Sequence, residues 1–119
     1  MRVTKIDHVQ LAMPRGGEEE ARAFYDGLFG IHEVPKLADL ATRGGCWFED
    51  GDLKIHLGVE ENFRPARKAH PALIVEDLPR LITKLIAAGL DVESKVVENQ
   101  LHAYIHDPFG NRIELLESR

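Results

Sequence analysis

Three histidines and one glutamate lie at matching places in the two halves of this 119-residue chain. His8 and His70 each belong to the first predicted strand of a half, whereas His56 and Glu114 each belong to the last. Imidazole and carboxylate groups together bind borderline divalent cations such as zinc, nickel, cobalt, iron and manganese. The repeated placement therefore predicts a metal site whose ligands are His8, His56, His70 and Glu114.

Glu114 is the most informative of the four, because it lies between Ile113 and Leu115 in the stretch HDPFGNRIELLE. A carboxylate buried in an apolar strand without a partner is energetically costly. A bound cation would neutralise this charge.

Strand alternation predicts which way these side chains point. His8 shares a strand face with Gln10, and His56 shares one with Lys54, while the opposite faces are apolar. Since the apolar rows should pack against helices, the predicted ligands should face a cleft, with Gln10 placed to orient a substrate.

The metal prediction depends on a two-fold internal repeat, in which each half reads strand, helix, strand, strand, strand. In the first half, strands are predicted over residues 4–13, 31–37, 45–49 and 53–60, with a helix over 18–29 and a loop over 38–44. In the second, strands are predicted over 69–76, 90–97, 101–106 and 112–117, with a helix between Asp77 and Gly89. Acidic residues open the first helix and Gly30 ends it, as helix termini favour.

These elements predict a single α+β domain over residues 1–119. It consists of one βαβββ module over 1–60, a polar linker over 61–68 and a second module over 69–119. Each module leaves one face of its sheet uncovered. The sequence therefore predicts a curled eight-stranded mixed sheet with a central cleft and the helices outside.

The composition argues against two classes of protein, those that bind nucleic acids and those that span a membrane. Apolar residues make up 44% of the chain and charged residues 29%, with a net charge of −5. A nucleic-acid-binding protein usually carries a basic surface, and a membrane span needs about 20 consecutive apolar residues. Neither is present, and the N-terminus lacks a signal-peptide pattern. The lone cysteine, Cys46, is expected to be a buried thiol, and a cytoplasmic location is expected.

Taken one at a time, each candidate ligand could also have a purely structural role. A single histidine in a strand is more often structural than a ligand, and Glu114 alone could be a surface residue of an edge strand. His32, His102 and His106 lack repeat symmetry and are interpreted as surface or supporting residues. No residue stands out as a general base, and Glu49 and Glu60 are interpreted as surface carboxylates.

Four stretches of the chain resemble the vicinal oxygen chelate superfamily: IDHVQLAMP, ARAFYDGLFGIHEVP, AHPALIVEDL and HDPFGNRIELLE. The superfamily includes glyoxalase I, fosfomycin-resistance transferases, bleomycin-binding proteins, methylmalonyl-CoA epimerase and extradiol dioxygenases. The resemblance covers nearly the whole chain and implies paired βαβββ modules. It also implies metal ligation by His8, His70 and Glu114.

The resemblance is imperfect at particular positions. Glyoxalase I has a glutamate ligand in the last strand of its first module, where this chain has His56. Tyr104 matches a drug-contacting tyrosine of the fosfomycin transferases, but Gln10 replaces their threonine. Functional extradiol dioxygenases are mostly longer.

Two functions follow from the resemblance. The first is a divalent-metal-dependent lyase, isomerase, transferase or dioxygenase that chelates a small substrate through neighbouring oxygens, with Gln10 and Tyr104 orienting it. The alternative is a bleomycin-resistance-like protein that binds a drug or metabolite without turnover. Its cleft would have aromatic walls from Trp47, Phe48, Phe63 and Phe109.

A two-fold homodimer is the expected assembly. In relatives of this length, each cleft is usually formed by the first module of one chain and the second module of another. Each of two equivalent sites would take His8 and His56 from one chain and His70 and Glu114 from the other. The remaining partner is a small-molecule substrate.

Overall fold

The computed structural model describes residues 1–119 as two compact units, Met1–Arg64 and Pro65–Arg119. Their boundary lies within the predicted linker. Each unit contains one βαβββ module, which confirms both the α+β class and the internal repeat. No helix has the length and apolar character needed to cross a bilayer.

The first unit contains strands β1 (Val9–Met13), β2 (Glu33–Val34), β3 (Cys46–Asp50) and β4 (Leu53–Val59), with helix α1 (Glu18–Ala21) after β1. A π-helical stretch, Arg22–Leu28, continues α1, and Ala38–Arg43 is a 3-10 helix. The second unit contains β5 (Ala72–Val75), helix α2 (Leu78–Ala87), β6 (Glu93–Val97), β7 (Gln100–His106) and β8 (Arg112–Glu117).

The strands form two four-stranded sheets, one in each unit, and not the single eight-stranded sheet that the sequence predicts. The strand orders are β1-β4-β3-β2 and β5-β8-β7-β6. In both sheets the first strand of the module runs parallel to the last, and the remaining neighbours are antiparallel. Side-chain alternation indicates which face of a strand is apolar, but it carries no information on which strands share backbone hydrogen bonds.

Several strands are shorter than predicted, and β1 is the clearest case. It begins at Val9, whereas a strand is predicted from residue 4, and residues 1–8 are all exposed. β1 pairs with β4, whose first residue is Leu53, and Val9 is opposite Ile55. β4 has only two residues before Ile55, so it does not extend far enough to pair with residues 1–6, despite their alternating pattern.

The loop predicted over residues 38–44 contains the 3-10 helix, and its end is held against the first helix. The carboxylate of Glu18 accepts a hydrogen bond of 2.8 Å from the Gly45 backbone N–H. This bond is the main reason that the pKa of Glu18 lies below its ordinary value. Gly45 has a φ of +87°, and a Cβ there would lie 2.1 Å from the Leu57 carbonyl oxygen. Only glycine fits.

The core of each unit lies between its helix and the apolar face of its sheet. Tyr25 of the π-helical stretch stacks on Phe48 of β3, Phe24 packs against Tyr25, and all three are buried. In the second unit, Leu78 and Leu85 of α2 are buried, as are the following sheet residues: Ala103, Ile105, Ile113 and Leu115. Asp77 caps α2 by accepting a hydrogen bond from the Arg80 N–H. The predicted apolar faces are confirmed, so the polar faces of the sheets carry the candidate site.

The pairing registers of the two sheets match. In the first sheet Gln10 is opposite His56, and in the second Ala72 is opposite Glu114. His56 and Glu114 therefore occupy equivalent positions in the repeat, as the sequence predicts.

His8 and His70 also occupy equivalent positions, but neither lies within a strand. His8 immediately precedes β1, and His70 lies two residues before β5 begins at Ala72. Pro71 contributes to this boundary, because proline has no N–H to donate to a strand ladder.

Candidate functional site

The polar face of the first sheet carries a stack of three rings. The His56 ring lies 4.1 Å from the Trp47 ring, with an interplanar angle of 5°. It lies 4.3 Å from the His8 ring, at 20°. Trp47 is directly opposite His56 across the β3–β4 ladder, so the sheet register builds one half of the stack. The stack brings two predicted ligands, His8 and His56, together.

Glu49 fixes the hydrogen-bonding state of His56. The Nε2 atom of His56 lies 2.8 Å from Oε2 of Glu49. A carboxylate can only accept, so Nε2 carries the proton and Nδ1 of the neutral ring keeps a lone pair. The His56 side chain is only 5% exposed. Its imidazole is thus held rigidly, with Nδ1 as the nitrogen able to bind a cation.

His8 is oriented in a similar way by its neighbour in sequence. Its Nδ1 atom lies 2.9 Å from Oδ1 of Asp7, and the His8 side chain is 41% exposed. This hydrogen bond is the main reason that the pKa of Asp7 is lowered. The Nε2 atom of His8 remains available to a ligand.

In the second sheet, Glu114 of β8 has three partners. Nδ1 of His102 lies 2.7 Å from Oε2, and the Tyr104 hydroxyl donates to the same oxygen at 3.3 Å. Nε2 of His70 lies 3.1 Å from Oε1. The hydrogen bond with His102 is the largest cause of a lowered pKa at Glu114, and those with His70 and Tyr104 add to it. The carboxylate, 14% exposed, is therefore held in its charged form.

The arrangement of His70 suits a cation beside Glu114. Its Nδ1 atom lies 2.8 Å from the Lys68 carbonyl oxygen, which can only accept, so Nδ1 carries a proton. The hydrogen bond from Nε2 to Glu114 therefore exists only in the doubly protonated ring. In the neutral ring Nε2 instead presents a lone pair to the carboxylate oxygen, and two acceptors repel. A second proton on His70 relieves this contact, and so does a cation bound by both groups.

The four predicted ligands are thus brought together as two pairs, His8 with His56 and His70 with Glu114. Within the chain, no group of three or more His, Cys, Asp or Glu side chains is arranged to hold a metal ion. The donor chemistry of the pairs nevertheless fits a divalent ion. Each of the three imidazoles has one ring nitrogen against an oxygen acceptor, which is typical of metal-ligating histidines. The metal set remains a prediction.

Comparison with known structures identifies the family. A crystal structure of a glyoxalase family protein from Bacillus anthracis is 48% identical to this chain, with a TM-score of 0.93, and the match covers 100% of both chains. The chain belongs to the glyoxalase family. This places it in the vicinal oxygen chelate superfamily, which confirms the resemblance seen in the sequence.

More distant structures of this superfamily share the fold. A lactoylglutathione lyase from Agrobacterium tumefaciens is 21% identical, with a TM-score of 0.75, and covers 99% of this chain and 96% of its own. A fosfomycin resistance protein from Listeria monocytogenes is 14% identical, with a TM-score of 0.79 and the same coverage. No family model matches the sequence, and no curated protein does. The range of activities among these relatives leaves the activity of this family member open.

The predicted substrate-contacting residues lie on the same polar faces as the ligands. The Gln10 side chain passes over Gly58, where a Cβ would lie 2.5 Å from Gln10 Nε2. Tyr104 is opposite Glu114 in the β7–β8 ladder, as Trp47 is opposite His56 in the β3–β4 ladder. By contrast, Phe48 is fully buried in the core and cannot form a cleft wall.

Sequence reasoning missed the residues that hold the ligands. Glu49 is a surface carboxylate by its sequence pattern, but in the structure it accepts a hydrogen bond from Nε2 of His56. His102 had no repeat partner, yet it makes the shortest hydrogen bond to Glu114. Alternation alone places both on the polar faces of their strands, and a search for polar neighbours on these faces could have found them.

Proposed function

We propose that this glyoxalase family member is a divalent-metal-dependent lyase, isomerase or transferase. Its substrate would be a small oxygen-rich molecule bound through two neighbouring oxygens. The supporting observation is the matched geometry of two sites in the repeat: His56 and Glu114 at equivalent register positions, each beside a histidine with one ring nitrogen engaged.

Under this proposal, His8, His56, His70 and Glu114 hold zinc, nickel, cobalt, iron or manganese. A bound ion of this kind supplies Lewis acidity to a developing enolate or alkoxide. The protein's own residues orient the reactants. Asp7, Glu49 and the Lys68 carbonyl fix the imidazoles, His102 keeps Glu114 charged, and the Tyr104 hydroxyl and the Gln10 amide are placed to orient substrate oxygens.

We propose further that the protein works as a cytoplasmic homodimer. Each unit of the chain offers only one pair of ligands, so a full set requires both kinds of unit. In the proposed dimer, His8 and His56 of one chain complete a site with His70 and Glu114 of the other, giving two equivalent sites. An isologous dimer is the commonest symmetric assembly.

Metal analysis of protein purified without a histidine tag tests the first part of this proposal. We expect close to one divalent ion per chain, followed by turnover of an oxygen-rich substrate once that metal is supplied. Protein that neither contains nor takes up any of the five metals would overturn the proposal.

A mixed dimer tests the shared sites. One chain carries His8→Ala and the other carries Glu114→Ala. If the sites are shared between chains, one site loses both ligands and the other keeps all four, so half of the metal survives. If each site lies within one chain, both sites are damaged and little metal remains.

A second candidate function is binding of a drug or metabolite without turnover, as bleomycin-resistance-like proteins do. The flat ring stack of Trp47, His56 and His8 favours it, because aromatic ring surfaces bind planar ligands well. A protein that binds ligand with the metal present but never converts it would support this function over the enzymatic one.

A further inference from the structure

Strand β6 (Glu93–Val97) forms an open edge of the second sheet. It pairs with β7 on one side, and the strand order β5-β8-β7-β6 leaves its other side without a neighbouring strand. All five of its residues are exposed. An exposed edge strand presents backbone N–H and C=O groups that can pair with a strand of another chain.

The turn between β6 and β7 shows which backbone groups of β6 point outward. Residues 98–99 form a two-residue turn with φ values of +49° and +64°, which is typical of a type I′ turn. The turn hydrogen bond joins the Val97 C=O to the Gln100 N–H, so Val97 directs its backbone groups towards β7. Because this direction alternates along an antiparallel strand, Ser94 and Val96 direct theirs outward.

Hydrogen bonding on the other side of β7 agrees with this assignment. Leu101 of β7 is opposite Val96, but its N–H donates to Oε1 of Glu117 in β8, at 2.7 Å. The Leu101 N–H therefore points away from β6. It follows that Val96, and Ser94 two residues before it, present their backbone groups at the open edge.

The side chains of β6 carry one negative and one positive charge on the same face. Glu93 and Lys95 are two residues apart, and alternate residues of a strand share a face. Neither takes part in a salt bridge of the chain. The Lys95 ammonium lies 5.2 Å from the centre of the Tyr104 ring, which places it on the polar face of the sheet. Such a pair of charges is complementary to the same pair on an antiparallel copy of the strand.

We propose that the open edge of β6 pairs, antiparallel, with the β6 edge of a second copy of this chain. Ser94 lies on the two-fold axis opposite Ser94 of the partner subunit, and the two residues exchange backbone hydrogen bonds. Glu93 is then opposite the partner's Lys95, and Lys95 is opposite the partner's Glu93. The two second sheets join into one sheet of eight strands. None of the proposed metal ligands lies on β6, so this contact does not depend on the proposed function.

Charge selects this register over its neighbours. Residues with outward backbone groups must lie opposite one another, so the allowed registers differ by steps of two residues. One step in either direction places Lys95 opposite the partner's Lys95, or Glu93 opposite the partner's Glu93. Like charges directly opposite each other destabilise a sheet, whereas opposite charges stabilise it. Within β6, only the proposed register forms opposite-charge pairs without a like-charge pair.

Disulfide cross-linking of Ser94→Cys tests the register. Opposite Cα atoms of a hydrogen-bonded antiparallel pair lie about 5.5 Å apart, within the range that a disulfide spans. Mild oxidation of the metal-free variant should give a disulfide-linked dimer on a non-reducing gel, whereas the unmodified protein, whose Cys46 is buried, should not. Val96→Cys is the matched control, because Val96 is 69% exposed but lies opposite the partner's Val92. It should remain monomeric on the gel.

Two charge reversals, each added to Ser94→Cys, test the ion pairs. Glu93→Lys places lysine opposite lysine twice, and Lys95→Glu places glutamate opposite glutamate twice. Each variant alone should form about 10-fold less cross-linked dimer than Ser94→Cys. A mixture of the two variants restores both opposite-charge pairs, so its cross-linking should return towards that of Ser94→Cys.

Equal cross-linking of Ser94→Cys and Val96→Cys would indicate random collision and would overturn the proposal. So would a mixture of the two charge reversals that cross-links no better than its components. If Ser94→Cys forms no dimer, the proposal also fails, and Glu93 and Lys95 are instead charges that keep the edge strand from pairing. Because the protein is metal-free, none of these results depends on the metal site.

Discussion

The two sheets place polar side chains of opposite hydrogen-bonding character at equivalent positions. At equivalent positions of the repeat, the first sheet has an imidazole, His56, supported by the carboxylate of Glu49. The second has a carboxylate, Glu114, supported by the imidazoles of His102 and His70. In both cases a buried or nearly buried polar group is placed opposite an aromatic residue, Trp47 or Tyr104.

This inversion shows what a repeat preserves. The backbone register keeps the direction and depth of the side chain, while the identities of the central group and its partner can exchange. An acceptor needs donors and a donor needs acceptors, so changing the central residue also requires a change in its neighbours. Four experiments test how far the two positions remain equivalent in function.

The largest effect is expected at Glu114. Glu114→Gln removes the only carboxylate of the proposed ligand set, so metal affinity should fall by more than about 100-fold, beyond the loss typical for a supporting residue. Competition with a chelating dye measures it. Glu76→Gln, an exposed carboxylate away from the site, is the matched control and should bind metal normally. Unchanged affinity in Glu114→Gln would remove Glu114 from the ligand set.

The second effect concerns the support of His56. If His56 binds the metal through Nδ1, Glu49 is the residue that fixes its tautomer, and Glu49→Gln should weaken metal binding by about 10-fold. The same dye competition applies, with Asp50→Asn as control. A metal affinity equal to that of the unmodified protein would show that the charge of Glu49 is not needed to hold His56 for metal binding.

The third effect concerns pH. The hydrogen bond from His102 is the main cause of the lowered Glu114 pKa, so His102→Gln should raise this pKa towards the ordinary value of 4.5. A depressed carboxyl pKa gives stability that is present above 4.5 and is lost as pH falls through the folded-state value. Metal-free His102→Gln should therefore lose less stability on acidification than unmodified protein.

Carboxyl NMR of metal-free protein reports the Glu114 pKa directly, and urea denaturation at several pH values reports the stability. His106→Gln, on the same strand but without a hydrogen bond to Glu114, is the control. A Glu114 pKa that stays low in His102→Gln would assign the effect to His70 and Tyr104 instead.

The smallest effect is expected at Tyr104. Its hydroxyl lies 3.3 Å from Glu114, longer than the contacts from either histidine. Tyr104→Phe should cost about 1 kcal/mol of stability or less, because a carboxylate with two other partners loses one weak donor. Urea denaturation measures this cost, and Tyr25→Phe, in the core of the first unit, offers a comparison. A loss of several kcal/mol would mean that the hydroxyl is the principal support of the carboxylate.

The sequence alone determined the repeat, the fold class and the four candidate ligands. Strand and helix periods are local properties of the chain, so the apolar faces of β4 and β8 and the course of α2 could be predicted from residue order. The strand predicted over residues 112–117 agrees with β8 to the residue. The equivalence of His56 and Glu114 also followed from the order of the strands, because each residue lies in the last strand of its module.

Only the tertiary structure decided what surrounds these residues. The short length of β1 and the division into two sheets depend on pairing between segments far apart in sequence. The hydrogen bonds between His102 and Glu114 and between His56 and Glu49 depend instead on pairing within hairpins. A histidine 12 residues from Glu114 and a glutamate 7 residues from His56 become neighbours because antiparallel hairpins fold back on themselves. Local pattern fixes the face on which a polar group lies, and the folded sheet decides which partner satisfies it.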